Sequence, residues 1–158
     1  SSLIRRKKID WIIQAFKKIE GGQLKIIGDG PLKKDLKSIS TEDISFLGQV
    51  PHSKVIREMQ KSNIFVLPSK NETFGRVYIE AMANKNCVIA RKNTGIHGLF
   101  NKNEVLYCNG DFQDFLKKFK AAVESPTLRE KLANNSFEKV KKRFTWNKII
   151  QQYLDLYT

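Results

Sequence analysis

Short apolar runs alternate with segments whose apolar residues recur every three or four positions, and that alternation leaves few folds open to the chain. Leu24-Lys25-Ile26-Ile27, Ile44-Ser45-Phe46-Leu47 and residues 63–67, 87–90 and 104–107 read as strands. Ile9, Ile12, Ile13, Phe16 and Ile19 share one helical face, which predicts a helix from about Asp10 to Glu20, ended by Gly21-Gly22. Pro31 opens a short helix to about Ser38, and Pro51 opens another that turns Val55, Ile56 and Met59 inward. Two more helices are predicted over residues 75–84 and roughly 95–101. A strand–helix order of this kind is satisfied by an α/β fold, a Rossmann-like doubly wound parallel sheet with helices on both faces. From Asp111 onward the pattern is helical. Breaks near Ser125-Pro126 and Phe144-Thr145, where Thr145 can cap the last segment, predict three extra C-terminal helices.

No linker, repeat or low-complexity tract divides the 158 residues, so residues 1–158 read as a single domain. A chain of that length buries roughly 70% of the surface its unfolded form exposes, so it needs no covalent staple. Cys87 and Cys108 lie in apolar runs without metal-ligand spacing and read as core residues. No apolar run approaches the ~18 residues of a membrane span and no leader pattern is visible, which predicts a cytoplasmic chain.

The charge is lopsided. Twenty-nine Lys and Arg against 16 Asp and Glu leave a net +13, which calls for nucleic acid, an anionic membrane surface or a phosphorylated ligand. The basic clusters Lys17-Lys18, Lys33-Lys34, Lys117-Lys118 and Lys141-Lys142-Arg143 fall in helical segments with no aromatic platform between them. That argues against nucleic acid and for a solvated basic face, suited to peripheral contact with acidic lipid on the inner face of a membrane.

A site is legible where the run Ile64-Phe65-Val66-Leu67 gives way to the next helix. Glu72 lies in the polar loop and Glu80 about a turn and a half into the helix, with Gly75 between them. Gly75 allows the backbone close to a ligand, and the first helical N–H groups, at Arg76 and Val77, suit an anion such as a diphosphate. One carboxylate can then face a sugar and the other a ribose. The plainer reading is a Glu-bearing helix such as any doubly wound domain contains. No Asp-x-Asp and no His–carboxylate cluster of ligand spacing appears, so the sequence offers no metal site.

Pro68-Ser69, Glu72, Phe74-Gly75 and Glu80-Ala81-Met82-Ala83 resemble the signature of retaining, family-4-type glycosyltransferases (glycosyl transferases group 1) with the GT-B fold. Further segments follow in that family's order: Ile26-Ile27-Gly28-Asp29-Gly30-Pro31, Phe46-Leu47-Gly48-Gln49-Val50, Val88-Ile89-Ala90, Ser125-Pro126-Thr127-Leu128-Arg129 and Phe144-Thr145-Trp146. The resemblance implies a C-terminal, nucleotide-sugar (donor) binding domain, with the N-terminal acceptor domain lying outside this chain. It implies that the nucleoside-diphosphate sugar is substrate and that no cofactor is needed. The implied product is a cell-surface glycan or glycolipid.

The resemblance also assigns roles. Glu72 and Lys7 stand where the catalytic pair is expected, Glu72 on donor-sugar hydroxyls and Lys7 on the diphosphate. Glu80 would accept from the ribose diol, Phe74, Gly75, Arg76 and Val77 would meet sugar and diphosphate, and the backbone at Gln49 and Val50 would pair with the base. Pro51-His52-Ser53 supplies no carboxylate for guanine's donors, which favours a UDP-sugar over a GDP-sugar. His52 reads as a surface helix-start residue, with stacking or hydrogen bonding at the base as the alternative, and His97 lies in a turn that could approach the donor. Trp11, Trp146 and the Phe residues read as packing. Ser2 occupies the position of the family's diphosphate-binding Arg, and Arg5 is the nearest substitute. That departure keeps a second reading open, a degenerate binding or scaffolding domain without turnover. A basic nucleic-acid-binding α/β domain is the third. Lys85 and Cys87 replace a usual Gly and Pro, and Asn84 is expected to take the left-handed conformation that ends its helix.

Overall fold

The computed structural model describes residues 2–72 and 75–144. A single 3-10 turn, Arg5–Lys7, leads into α1 (Ile9–Phe16); β1 (Leu24–Ile27), α2 (Lys33–Ser38), β2 (Ile44–Gly48), α3 (His52–Gln60), β3 (Ile64–Leu67), α4 (Arg76–Ala83), β4 (Cys87–Arg91), β5 (Leu106–Cys108), α5 (Phe112–Glu124) and α6 (Pro126–Arg143) follow. Every strand pairing described is parallel. β1 pairs with β2, and β3, β4 and β5 form a second ladder with Ile64 opposite Cys87 and Ala90 opposite Tyr107. Ser2 makes one parallel bridge to Asp29, and Leu3, fully buried, takes up the Asp29 carbonyl at 2.9 Å.

β4 is the centre of the larger ladder. Cys87, Val88, Ile89 and Ala90 are wholly buried, as a strand covered on both faces requires. Burial pushes the Cys87 thiol up to about 12 and the Cys108 thiol up to about 11, so both sulfurs are inert core groups. Helix α1 packs on α2 and α5, with Trp11 edge-on to Phe112 at 5.8 Å, while α4 packs on α3, α6 and β4. Asp111 caps α5 through the amides of Gln113 and Asp114, and Ser125 caps α6 ahead of Pro126.

Three expectations are corrected. No helix forms over residues 95–101. Gly98, at φ 95°, reverses the chain, and the Tyr107 hydroxyl sits 3.0 Å from the carbonyls of both Ile96 and Phe100, holding the segment as linked turns. Lys85, not Asn84, takes the left-handed conformation, at φ 57°. Asn84 keeps a negative φ, −98°, with its side chain on the Glu80 carbonyl, and the amides of Lys85 and Asn86 close onto Met82 and Ala81, a two-bond closure that places the left-handed residue one step later. Helix α1 stops at Phe16 because Lys18 and Ile19 bond back only three residues, tightening the last turn before Gly21. Thr145, Trp146 and the third C-terminal helix lie outside the described residues.

Candidate nucleotide-sugar site

Two loops converge. The first carries the turn Arg5–Lys7 and the second follows β3. They are stitched by the Lys70 amide on the Arg6 carbonyl at 2.7 Å and by the Arg6 guanidinium on the Asn71 carbonyl at 3.2 Å. Asn71 reaches that geometry at φ 58°, a conformation asparagine tolerates better than most residues. Between the two stitches Lys7 Nζ is bonded to Glu72 Oε2. Both side chains are mostly buried, 11% and 15% exposed, so this ion pair lies beneath the surface. The Glu72 carbonyl is also held, by the Gly95 amide at 2.9 Å, which ties the turn after β4 to the same loop.

Gly75 is the N-cap of α4 and sits in the left-handed region at φ 61°, ψ 56°. A Cβ there would come within 2.6 Å of the Tyr78 ring and 3.2 Å of Glu72 Cγ. Tyr78 cannot yield easily. It is fully buried, its hydroxyl donates to the Leu67 carbonyl at 2.7 Å, and its ring stands edge-on to Phe65. Burial, with the Glu72 charge adding to it, pushes the Tyr78 phenol far above its ordinary range, so it stays a neutral donor. Glu72, Gly75 and the start of α4 thus form one unit, with the side chain of Arg76 exposed at its rim and Val77 half-buried. The first amides of a helix have no intrahelical acceptor, so Arg76 and Val77 present theirs to whatever lies beyond.

Glu80 is half-buried on α4, and its Oε1 lies 3.3 Å from His52 Nε2 at the start of α3. Gln49 and Val50 occupy the turn between β2 and α3, just before Pro51 and His52. The predicted base-pairing segment and the predicted ribose acceptor therefore meet through His52, a contact across 28 residues that no spacing in the sequence signals. Phe74 lies outside the described residues. Arg5 is exposed and lines a different depression, with Lys8, Asp10, Leu32, Asp35, Leu36 and Ile39. His97 is exposed and stands edge-on to Tyr107 at 5.0 Å. Among the described residues no three His, Cys, Asp or Glu side chains gather as a metal-binding group.

The family model of glycosyl transferases group 1 matches residues 1–139. The chain belongs to that family. It is 29% identical over 162 residues to an uncharacterized glycosyltransferase of Methanocaldococcus jannaschii, covering 99% of this chain and 46% of that protein. It is also 29% identical over 166 residues to the capsular polysaccharide biosynthesis glycosyltransferase CapM of Staphylococcus aureus, covering 98% and 43%. Among solved structures it superposes on Anabaena HepE, determined in complex with UDP and glucose, with a TM-score of 0.87 at 22% identity over 99% of this chain and 46% of that one. This glycosyl transferases group 1 chain thus spans somewhat less than half the length of the relatives it matches.

Proposed function

We propose that the chain is the donor-binding half of a retaining, metal-independent glycosyltransferase that takes a sugar from a nucleoside diphosphate, UDP by preference, to a cell-surface glycan or glycolipid. The observation that carries this reading is the Lys7–Glu72 pair set against the start of α4, with Glu80 on the same helix. Breaking a glycosidic bond to a diphosphate leaves charge on the departing oxygen, and a cation fixed in a sheltered site with helix-start amides beside it stabilises that charge. In the resting site Glu72 occupies the cation. When donor binds, the diphosphate shares Lys7, and Glu72 turns its acceptors to the sugar hydroxyls. The solved HepE complex with UDP and glucose and the capsule-forming role named for CapM support the donor and acceptor classes. The partner domain that brings acceptor lies, on this reading, outside these residues, and the basic helical faces rest near anionic lipid.

Calorimetry on single variants tests the assignment. Glu80→Ala is expected to cost about 1.5–3 kcal/mol of affinity for UDP and for UDP-glucose alike, the range for hydrogen bonds to a charged group. Glu72→Ala is expected to spare UDP and weaken only UDP-glucose. Equal losses for both ligands in both variants would refute the division of labour. A second expectation is that EDTA leaves UDP-glucose affinity unchanged, because Lys7 and backbone amides meet the diphosphate. A large loss on chelation would show that a metal does that work.

A further inference from the structure

We infer that His52 is a positioning residue for Glu80, holding its carboxylate in the orientation that receives a ribose diol; the inference rests on Glu80 being the ribose acceptor. His52 is the first residue of α3, just after Pro51, and its side chain is 69% exposed. An imidazole so exposed adds little to the packing of the fold, and its Nε2 is nevertheless 3.3 Å from Oε1 of a carboxylate on a different helix. The effect of the contact falls on the carboxylate.

A carboxylate offers about four acceptor positions on two oxygens. His52 Nε2 stands against Oε1 at 3.3 Å, which leaves Oε2 and the far side of Oε1 open to two hydroxyl donors. A glutamate anchored by its helix alone must lose rotamer freedom when the diol arrives. One already tethered from α3 has been ordered in advance, which removes part of the ordering loss from binding. His52 follows the turn that carries Gln49 and Val50 with only Pro51 between, so the same short segment links the proposed base and ribose surfaces.

The test uses the 158-residue chain with UDP and 2′,3′-dideoxy-UDP as probes, titrated into the parent, His52→Ala, His52→Gln, Glu80→Ala and the double variant His52→Ala/Glu80→Ala. His52→Ala is expected to weaken UDP about 3- to 10-fold, the effect of leaving one flexible side chain unordered, and to leave the dideoxy nucleotide unchanged. His52→Gln keeps an N–H donor and should stay within about twofold of the parent, and the double variant should bind UDP no more weakly than Glu80→Ala alone, because the two act as one unit. If Glu80→Ala weakens UDP while His52→Ala binds it like the parent, or weakens both nucleotides equally, the positioning role is overturned and the Glu80 assignment stands. If Glu80→Ala leaves UDP binding intact, the ribose assignment itself fails and takes this inference with it.

Discussion

Lys7→Met is expected to lower folding stability by about 3 kcal/mol or more, because it strips the cation from a carboxylate that is 85% buried. A lone charge beneath the surface is the expensive outcome; a removed pair is not. The double change Lys7→Met/Glu72→Leu should therefore melt in urea much closer to the parent than Lys7→Met does, although it has lost more polar groups. Binding should follow the opposite order. Both variants lack the ammonium group proposed to meet the diphosphate, so neither should bind UDP with parental affinity, and the double variant should show a stable fold with a disabled site. A double variant as unstable as Lys7→Met would mean that the pair contributes packing rather than charge balance. Parental UDP binding by either variant would remove Lys7 from the site.

Gly75→Ala is expected to cost about 3 kcal/mol, from left-handed strain on an L-residue together with a collision against a side chain that has no room to move. Gly48 supplies the control. It also has a positive φ, 68°, but a Cβ there meets nothing within 4 Å, so Gly48→Ala should show the backbone strain alone, about 1–2 kcal/mol. The difference between the two variants measures the contact with Tyr78. Because a displaced Tyr78 would loosen its hold on the Leu67 carbonyl and shift the first turn of α4, Gly75→Ala should also weaken UDP-glucose, whereas Gly48→Ala should disturb it far less. Equal destabilisation by the two changes, measured by urea melts, would mean that the helix start relaxes freely around a methyl group.

The elements that could be read from sequence are those governed by neighbours. The four buried residues of β4 announce a central strand because continuous apolar character is what burial on both faces demands, and Ser125-Pro126 marks a helix start because cap and fixed φ lie next to each other. Glu72, Gly75 and Glu80 stand out for the same reason, falling within one strand–loop–helix unit. What could not be read is decided by residues far away along the chain. The segment 95–101 has helical spacing, yet the Tyr107 hydroxyl and the reversal at Gly98 keep it as turns. The left-handed position after α4 goes to Lys85 because the closing hydrogen bonds of the helix fix where it must be, overriding asparagine's greater tolerance. The pairing of Lys7 with Glu72 and of His52 with Glu80 is set by how the strands lie beside each other, so residue identity named the participants and topology alone supplied the contacts.

The stitched loops have a consequence for how the molecule is made. Lys7 and Glu72 are separated by 65 residues, and so is the Arg6 bond to Asn71. Closing a segment of that length forfeits about 3.7 kcal/mol of chain entropy before either contact forms, from the logarithmic dependence on loop length. The parallel unit β3–α4–β4, with Ile64 opposite Cys87, closes over a shorter segment and so forfeits less chain entropy. If the two loops join after the folding barrier, changes at Lys7 or Glu72 are expected to quicken unfolding more than they slow folding, which stopped-flow unfolding and refolding of the variants would check. On that order the two loops joined through Lys7 and Glu72 would be the last part of the chain to come together and the first to part.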